Sequence, residues 1–322
     1  MRVVLTGATG FIGGVVARQL RARGDAVVAI VRDPALAEDL GDLGVELTAG
    51  DLTDVDAIVE QLAGADALVH MAGSYRIGIR PSERPAMLEA NVGTTARLLD
   101  AATRSGTPRI VYTSTVNVLG NTHGQVVDET YARDLAEGFF SYYDLTKFQA
   151  HELVAARVAG GAPIATAMPG GVYGPGDHSE AGGQLALAHA GNLRYFALGD
   201  IGLSWTYVDD VADGIVRILD RGRLGESYIL SGPSLLLRDA VGAAAIAGRK
   251  RPPRLALPTG LLRLFIPVSR RFGAIGGLPA NLAETIRAGN GVTYWARAAK
   301  AERELGFKAR DLESGLRATF GA

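Results

Sequence analysis

Apolar positions along the chain switch repeatedly between two periods. Residues 3–5 form a short uninterrupted apolar run of the kind a buried strand shows, and from 11 to 21 the apolar residues recur at helical spacing. The alternation continues. Runs at 26–31, 45–49, 67–71, 109–113 and 163–167 predict further strands, and helical patterns at 34–40, 55–62, 85–104 and 139–159 separate them. Strands joined through helices lie parallel with right-handed crossovers, so the pattern predicts an α/β fold, a doubly wound parallel Rossmann sheet. Beyond Pro169 glycine becomes frequent and the regular alternation stops. Short runs at 194–197 and 204–208, a helix at 211–221, a strand at 228–230 and several helices from 240 onward predict a smaller, mostly helical C-terminal lobe. The expected division is a sheet domain at 1–168 and a substrate lobe at 169–322, with 207–230 returning to the sheet domain. There is no internal repeat and no low-complexity tail.

The turn between the first strand and helix carries Gly7, Gly10 and Gly13. Such a turn needs a tight bend, then backbone close enough to touch a pyrophosphate, then a helix packed tightly on its strand. The helix N-terminus adds free N–H groups and partial positive charge, so the stretch predicts a dinucleotide site. At the end of the second strand, where a carboxylate would grip the ribose hydroxyls of NAD, stand Val31 and then Arg32, nineteen residues past Gly13. A guanidinium there pairs with a 2′-phosphate and stacks on adenine, which favours NADP. Asp33 beside it leaves NAD open.

Composition narrows the classes. With 33 basic and 34 acidic side chains the chain carries no electrostatic footprint for nucleic acid. It has no cysteine, which excludes disulfides, thiolate metal sites and cysteine nucleophiles. No apolar stretch is long enough for a membrane span, and the first strand starts too early to leave room for a leader, so the expectation is a cytoplasmic protein. His123, His178 and His189 are dispersed and predict no metal site.

The chemistry centres on Tyr143 and Lys147, four apart in a helical pattern and therefore neighbours on one face. An ammonium beside a phenol favours the phenolate and would draw the tyrosine toward working pH as a general acid/base. Taken with TGATGFIG at 6–13, GDLTD at 50–54, HMAG at 70–73, Asn91, YTSTVNVLG at 112–120, PGGVYGPGD at 169–177 and YVDDVADGI at 207–215, the chain resembles the extended short-chain dehydrogenases/reductases of the NAD(P)-dependent epimerase/dehydratase superfamily. The resemblance covers residues 1 to about 215.

That resemblance implies a Thr/Tyr/Lys triad. Thr115, with Ser114 as the alternative, would hold the substrate oxygen, Tyr143 would donate the proton, and Lys147 would bind the nicotinamide ribose. It also implies cofactor contacts from Thr9, Phe11 and Ile12 in the glycine turn, from Asp51 and Leu52 near the adenine, from Ala72 and Gly73 on the pyrophosphate–ribose side, and from Pro169 and Val172 at the nicotinamide. Asn91 is a buried structural residue in the family pattern. Sugar-nucleotide dehydratases of the superfamily carry an Asp-Glu pair after the active-site threonine, where this chain has Val116-Asn117. The VRDP segment is instead similar to NADPH-dependent carbonyl reductases related to dihydroflavonol 4-reductase and cinnamoyl-CoA reductase. The expected reaction is NADP(H)-dependent interconversion of a carbonyl and an alcohol on a small, partly apolar substrate. A sugar-nucleotide epimerase or reductase, with Arg194 and Arg238 as candidate diphosphate contacts, and a non-catalytic dinucleotide sensor are the alternatives.

Ser74 and Tyr75, after the fourth strand, and Tyr173 are the substrate-contact candidates. The apolar stretch 261–268 is a lid, a core segment or a membrane-surface segment. His70 is expected to be a hydrogen-bonded structural residue, His151 to lie on the helix surface or at a subunit contact, and Asp209 and Asp210 to cap a helix. Arg249, Lys250, Arg251, Arg254, Arg270 and Arg271 are expected in solvated loops. The helices 85–104 and 139–159 carry more apolar surface than one sheet face covers, which predicts a homodimer through a four-helix bundle.

Overall fold

Val3, Val4 and Leu5 are wholly buried because the strand they form is covered on both faces, the usual setting of an all-parallel sheet. A computed structural model describes residues 1–253, 255–272 and 279–321. In its first half, strands β1 (Arg2–Thr6), β2 (Ala26–Val31), β3 (Glu46–Ala49), β4 (Ala67–His70), β5 (Ile110–Thr113) and β6 (Ile164–Pro169) alternate with helices. These are α1 (Phe11–Ala22), α2 (Glu38–Asp42), α3 (Val55–Leu62), α4 (Arg84–Leu88), α5 (Thr94–Ser105) and α6 (Tyr142–Ala159). The second half contains β7 (Gly171–Tyr173), α7 (Glu180–His189), β8 (Tyr195–Ala197), β9 (Gly202–Tyr207), α8 (Val208–Arg221), β10 (Ser227–Leu230), β11 (Ser234–Leu236) and α9 (Leu237–Ala247). It ends with β12 (Leu255–Leu257), α10 (Thr259–Leu264), α11 (Ile266–Phe272), α12 (Leu282–Gly289), β13 (Thr293–Tyr294), α13 (Ala299–Leu305) and α14 (Leu312–Phe320).

Seven strands pair in parallel in the order β10-β6-β5-β4-β1-β2-β3. Side chains alternate along β1. Val3 and Leu5 pack with Val16 and Leu20 of α1 and with Val211 and Ile215 of α8, while Val4 packs on the opposite layer with Ile58, Leu98 and Val154. The strand order reverses between β1 and β4, and that switch point opens a crevice beyond the strands' carboxyl ends. Both α8 and β10 belong to this sheet domain by contact, although they follow much of the second lobe in sequence.

The predicted helix at 85–104 is broken into α4, a π turn at Glu89–Gly93 and α5, so the ladder widens around Asn91. The helix predicted from 139 starts at Tyr142, because Ser141 accepts the Asp144 N–H and stops it there. The helix predicted from 211 begins at Val208, and Asp209 and Asp210 do not cap it: Tyr207 is at the N-cap position and no side chain caps the helix. Asp210 is instead taken by Arg310 of the C-terminal lobe, at 2.7 and 3.0 Å.

In that lobe β9 pairs with β7, β11 and β13, and β8 with β12, so two small sheets accompany the helices. Of the stretch 261–268, Leu262 is buried with Leu282 and Ile286, whereas Leu261, Leu264, Phe265 and Val268 are exposed. Arg249, Lys250 and Arg251 are exposed, and the side chains of Arg254, Arg270 and Arg271 lie outside the described residues. Among the described residues no helix is long and apolar enough to cross a membrane.

Candidate active site

The glycine turn sits at the switch point. Gly7 adopts φ +77°, and a Cβ on it would come within 2.6 Å of the Ala72 backbone nitrogen, so the β1 and β4 loops approach as closely as backbone allows. A Cβ on Gly13 would lie 2.0 Å from the Gly7 carbonyl oxygen. No side chain caps α1 and no acidic residue occupies its first turn, so the first-turn N–H groups, at Phe11 and Ile12 among others, are free to meet an anion. Thr9 and Gly10 are exposed on the same turn. This cradle fits the pyrophosphate of a dinucleotide.

Around it stand the other expected contacts. Arg32 is exposed just past β2, and the Asp33 carboxylate accepts the Ala35 N–H at 3.0 Å as the cap of the following turn. Asp51 is exposed and bonded to Thr53, which holds its carboxyl below the usual range. Leu52 has φ +63°, a left-handed conformation rare for leucine, and Arg97 binds its carbonyl at 2.8 Å. Ala72 and Gly73 follow β4, Pro169 ends β6, and Val172 lies half-buried on β7.

Tyr143, Lys147 and Thr115 come together at the carboxyl end of β5. All three are buried. Thr115 caps the short turn Val116–Leu119, its hydroxyl accepting the Asn117 N–H at 3.3 Å. Lys147 Nζ donates to the Thr113 carbonyl at 2.9 Å and to the Tyr112 hydroxyl at 3.4 Å, and burial lowers its pKa to about 8. The expectation that Lys147 draws the Tyr143 pKa down is not met in this geometry. Burial pushes the Tyr143 phenol well above its ordinary value, with Tyr75 adding to the effect and the Thr115 hydroxyl opposing it. The Lys147 ammonium is instead bonded to Thr113 and Tyr112.

Tyr75 lies edge-on to Tyr143, ring centroids 4.8 Å apart, and is 54% exposed, so it forms an aromatic wall over the catalytic candidate. Ser74 beside it is fixed by Asn91, which accepts the Ser74 N–H at 2.7 Å and donates to its carbonyl at 3.1 Å. Tyr173 does not face substrate space. It is 1% exposed, packed against Trp205 and Tyr207, because β7 turns its ring into the lobe's own core. A separate cavity of about 370 Å³ opens between Asn121, Phe140, Arg263, Ile266 and Arg287.

Four residues near the triad were not assigned to the site from sequence. Asn91 braces the loop after β4 and donates to Thr146 Oγ1 at 2.9 Å. Arg133 and Asp144 form a buried bidentate pair next to Tyr143. His151, expected on the helix surface or at a subunit contact, is half-buried with Nδ1 at 3.0 Å from Ser114 Oγ, because α6 turns that face onto β5. The signal for His151 was present: it lies four residues past Lys147, the spacing that paired Lys147 with Tyr143. His70 is hydrogen-bonded to Thr6 and Thr95, as expected of a structural histidine. Among the described residues no cluster of His, Asp or Glu could hold a metal ion.

Residues 3–231 match the sequence model described as the NAD dependent epimerase/dehydratase family. The chain is 30% identical to a sterol demethylase protein B of Methylococcus capsulatus, over 84% of this chain and 83% of that one. It is 28% identical to a putative dihydroflavonol 4-reductase of Synechocystis sp., over 97% and 91%. The crystal structure of gox2253 superposes with a TM-score of 0.83 at 30% identity, covering 99% of this chain and 96% of the other.

Proposed function

The chain belongs to the NAD dependent epimerase/dehydratase family and is an NAD(P)-dependent oxidoreductase of the extended short-chain type, and from that premise we propose that it reduces a ketone or aldehyde with NADPH, or runs the reverse alcohol oxidation. The observation that carries the reading is the meeting of Tyr143, Thr115 and Lys147 beside an open helix N-terminus at the switch point of the sheet. When bound there, a reduced nicotinamide dinucleotide supplies the hydride. The glycine turn and the first turn of α1 would hold the pyrophosphate, and Arg32 the 2′-phosphate. The neighbouring Asp33 carboxylate accepts the Ala35 N–H through Oδ1.

Tyr143 is suited to be the acid. Its phenol is protonated at neutral pH and would deliver a proton to the carbonyl oxygen as charge develops there; burial raises the phenol and weakens it as an acid, and the Thr115 hydroxyl opposes that effect. Thr115 donates a hydrogen bond to the same oxygen, and Lys147 fixes the strand end that carries Thr115 by binding the Thr113 carbonyl. With the hydride supplied to the carbonyl carbon, the oxygen would take the Tyr143 proton and the phenolate would be reprotonated from solvent.

Tyr75 supplies an aromatic wall, which favours a ring-bearing or otherwise apolar carbonyl compound. The names of the Methylococcus and Synechocystis relatives, a sterol demethylase protein and a dihydroflavonol reductase, support that class. A sugar nucleotide is the second reading, favoured by the cavity between Arg263 and Arg287; Arg238, an earlier candidate, is ion-paired with Asp200. We also infer a homodimer through α4–α6, which light scattering would report as twice the chain mass.

The test is titration with NADPH and NADH, followed by NADPH oxidation with a panel of aromatic and aliphatic aldehydes and ketones. NADPH should bind at least ~10-fold more tightly, and Tyr143→Phe should lower turnover by at least ~100-fold. Preference for NADH would refute the role of Arg32, and turnover surviving in Y143F would refute that of Tyr143.

A further inference from the structure

Two side chains of α6, one turn apart, grip the end of β5. Lys147 takes the Thr113 carbonyl at 2.9 Å, and the His151 imidazole meets Ser114 Oγ at 3.0 Å. The Ser114 N–H is already committed to the Ala167 carbonyl of β6 at 2.8 Å. Residues 113 and 114 are thus fixed from the helix side through two side chains and from the sheet side through one backbone bond. Thr115 follows directly, so this grip sets where its backbone stands, while its hydroxyl is bonded to Asn117, accepting the Asn117 N–H and donating to Oδ1, both at 3.3 Å.

We propose that His151 is a positioning residue of the reaction: bonded to Ser114 one turn beyond Lys147, it holds in place the peptide that carries Thr115 and itself brings no counter-charge to Lys147. The inference rests on the triad reading above. His151 does not reach substrate space; its effect passes through Ser114 and Lys147.

The surroundings agree with an uncharged ring. Burial and the nearby Lys147 ammonium both lower the His151 pKa, to about 4. His70, facing Lys147 from β4, is likewise lowered to about 3 by burial and by Lys147. Tyr112 faces Lys147 from β5, and burial raises its phenol, so it remains neutral. Asp144, the carboxylate on the first turn of the same helix, is closed off by Arg133. Lys147 is therefore surrounded by neutral donors and acceptors, and a negative charge introduced at residue 151 would act on it directly.

The chain has five histidines and four lysines, so selective labelling resolves both groups without any substrate. Imidazole resonances are followed in wild type and assigned by their loss in His151→Gln; Lys147 is followed with [ε-13C]lysine. The His151 resonance should stay unshifted from pH 8 to pH 5, while Lys147 titrates near pH 8. In His151→Glu the Lys147 midpoint should rise by ~1 unit or more, and in H151Q it should stay where it is. With 4-nitrobenzaldehyde as probe, His151→Leu should lower kcat by ~10-fold at unchanged NADPH affinity, and H151Q should recover most of that loss.

A His151 resonance that titrates near its ordinary value, or a Lys147 midpoint that ignores the new carboxylate, overturns the proposal, as does full kcat in H151L. Failure of the triad reading is separable. It appears as turnover in Y143F, whereas the two resonance titrations depend on neither turnover nor cofactor.

Discussion

Removing the Arg133 side chain should damage this protein more than removing most buried apolar groups. Arg133 and Asp144 are 4% and 1% exposed, and they meet through two parallel bonds of 2.6 and 2.7 Å. With charge centres about 4 Å apart and an effective dielectric of about 20, the attraction is of order 4 kcal/mol. Arg133 also donates to the Gly138 carbonyl at 2.8 Å and lies over the ring of Phe139 at 4.4 Å, so its charge is accommodated from three sides. In Arg133→Met the Asp144 carboxylate keeps only the Phe140 N–H at 2.9 Å, and an uncompensated buried charge of this kind costs about 3–5 kcal/mol. Asp144→Asn keeps an acceptor for that N–H and should cost less, about 2 kcal/mol. The double variant removes both charges. Its loss should fall short of the sum of the single losses by at least about 2 kcal/mol, measured by urea denaturation followed by circular dichroism. Additivity within about 0.5 kcal/mol would refute the argument that this pair acts as a unit.

Two further changes probe the cradle and its support. Gly13→Ala places a methyl 2.0 Å from the Gly7 carbonyl oxygen, so α1 must move away from β1; NADPH affinity should fall at least ~10-fold and stability by about 1–3 kcal/mol, read by fluorescence titration and urea midpoint. His70 has a folded pKa of about 3 against an unfolded value near 6.5, so the unfolded state binds the extra proton across that window. Stability contributed by neutral His70 is complete above about pH 6.5 and should decline as pH falls, by about 2 kcal/mol at pH 5; His70→Gln should flatten that slope in urea midpoints measured from pH 7 to 5.

Local signals were legible and distant pairings were not. The strand of Val3 to Leu5, the glycine turn and the Tyr143–Lys147 spacing each depend on residues within one element or one turn, and each stands where the pattern put it. β11 and β13 are three and two residues long, too short for a period to register. Asp209 and Asp210 had the look of helix caps because nothing in the sequence announces that Arg310, a hundred positions away, takes Asp210. Tyr173 failed as a substrate contact for a similar reason: the direction of its ring is set by β9, which pairs with β7 from across the lobe. Direction of a charge effect was also out of reach. Helical spacing brings Lys147 beside Tyr143, but burial and the Thr113 carbonyl decide what the ammonium does there.

The cradle and the triad are joined by a buried chain of uncharged hydrogen bonds whose direction can be assigned. Thr95 donates to the Asn91 carbonyl at 2.7 Å, so its oxygen accepts from His70 Nε2 at 2.9 Å, and that ring nitrogen carries the proton. His70 Nδ1 is then an acceptor and takes the hydroxyl proton of Thr6 at 2.8 Å, directly before the glycine turn. From Asn91 the chain continues through its amide to Thr146, whose hydroxyl donates to the Tyr143 carbonyl at 3.1 Å. Each hydroxyl has one defined role, and a proton added to His70 would put a donor where Thr6 now donates. The π turn around Asn91 serves this arrangement, since it lets one side chain bind Ser74 and Thr146 at once while the Asn91 carbonyl accepts from Thr95. The separation between the dinucleotide cradle and Tyr143 is therefore set by neutral buried bonds, which salt screens little. Burial can therefore keep Tyr143 neutral while this chain, which is made of uncharged groups, fixes the backbone that carries it.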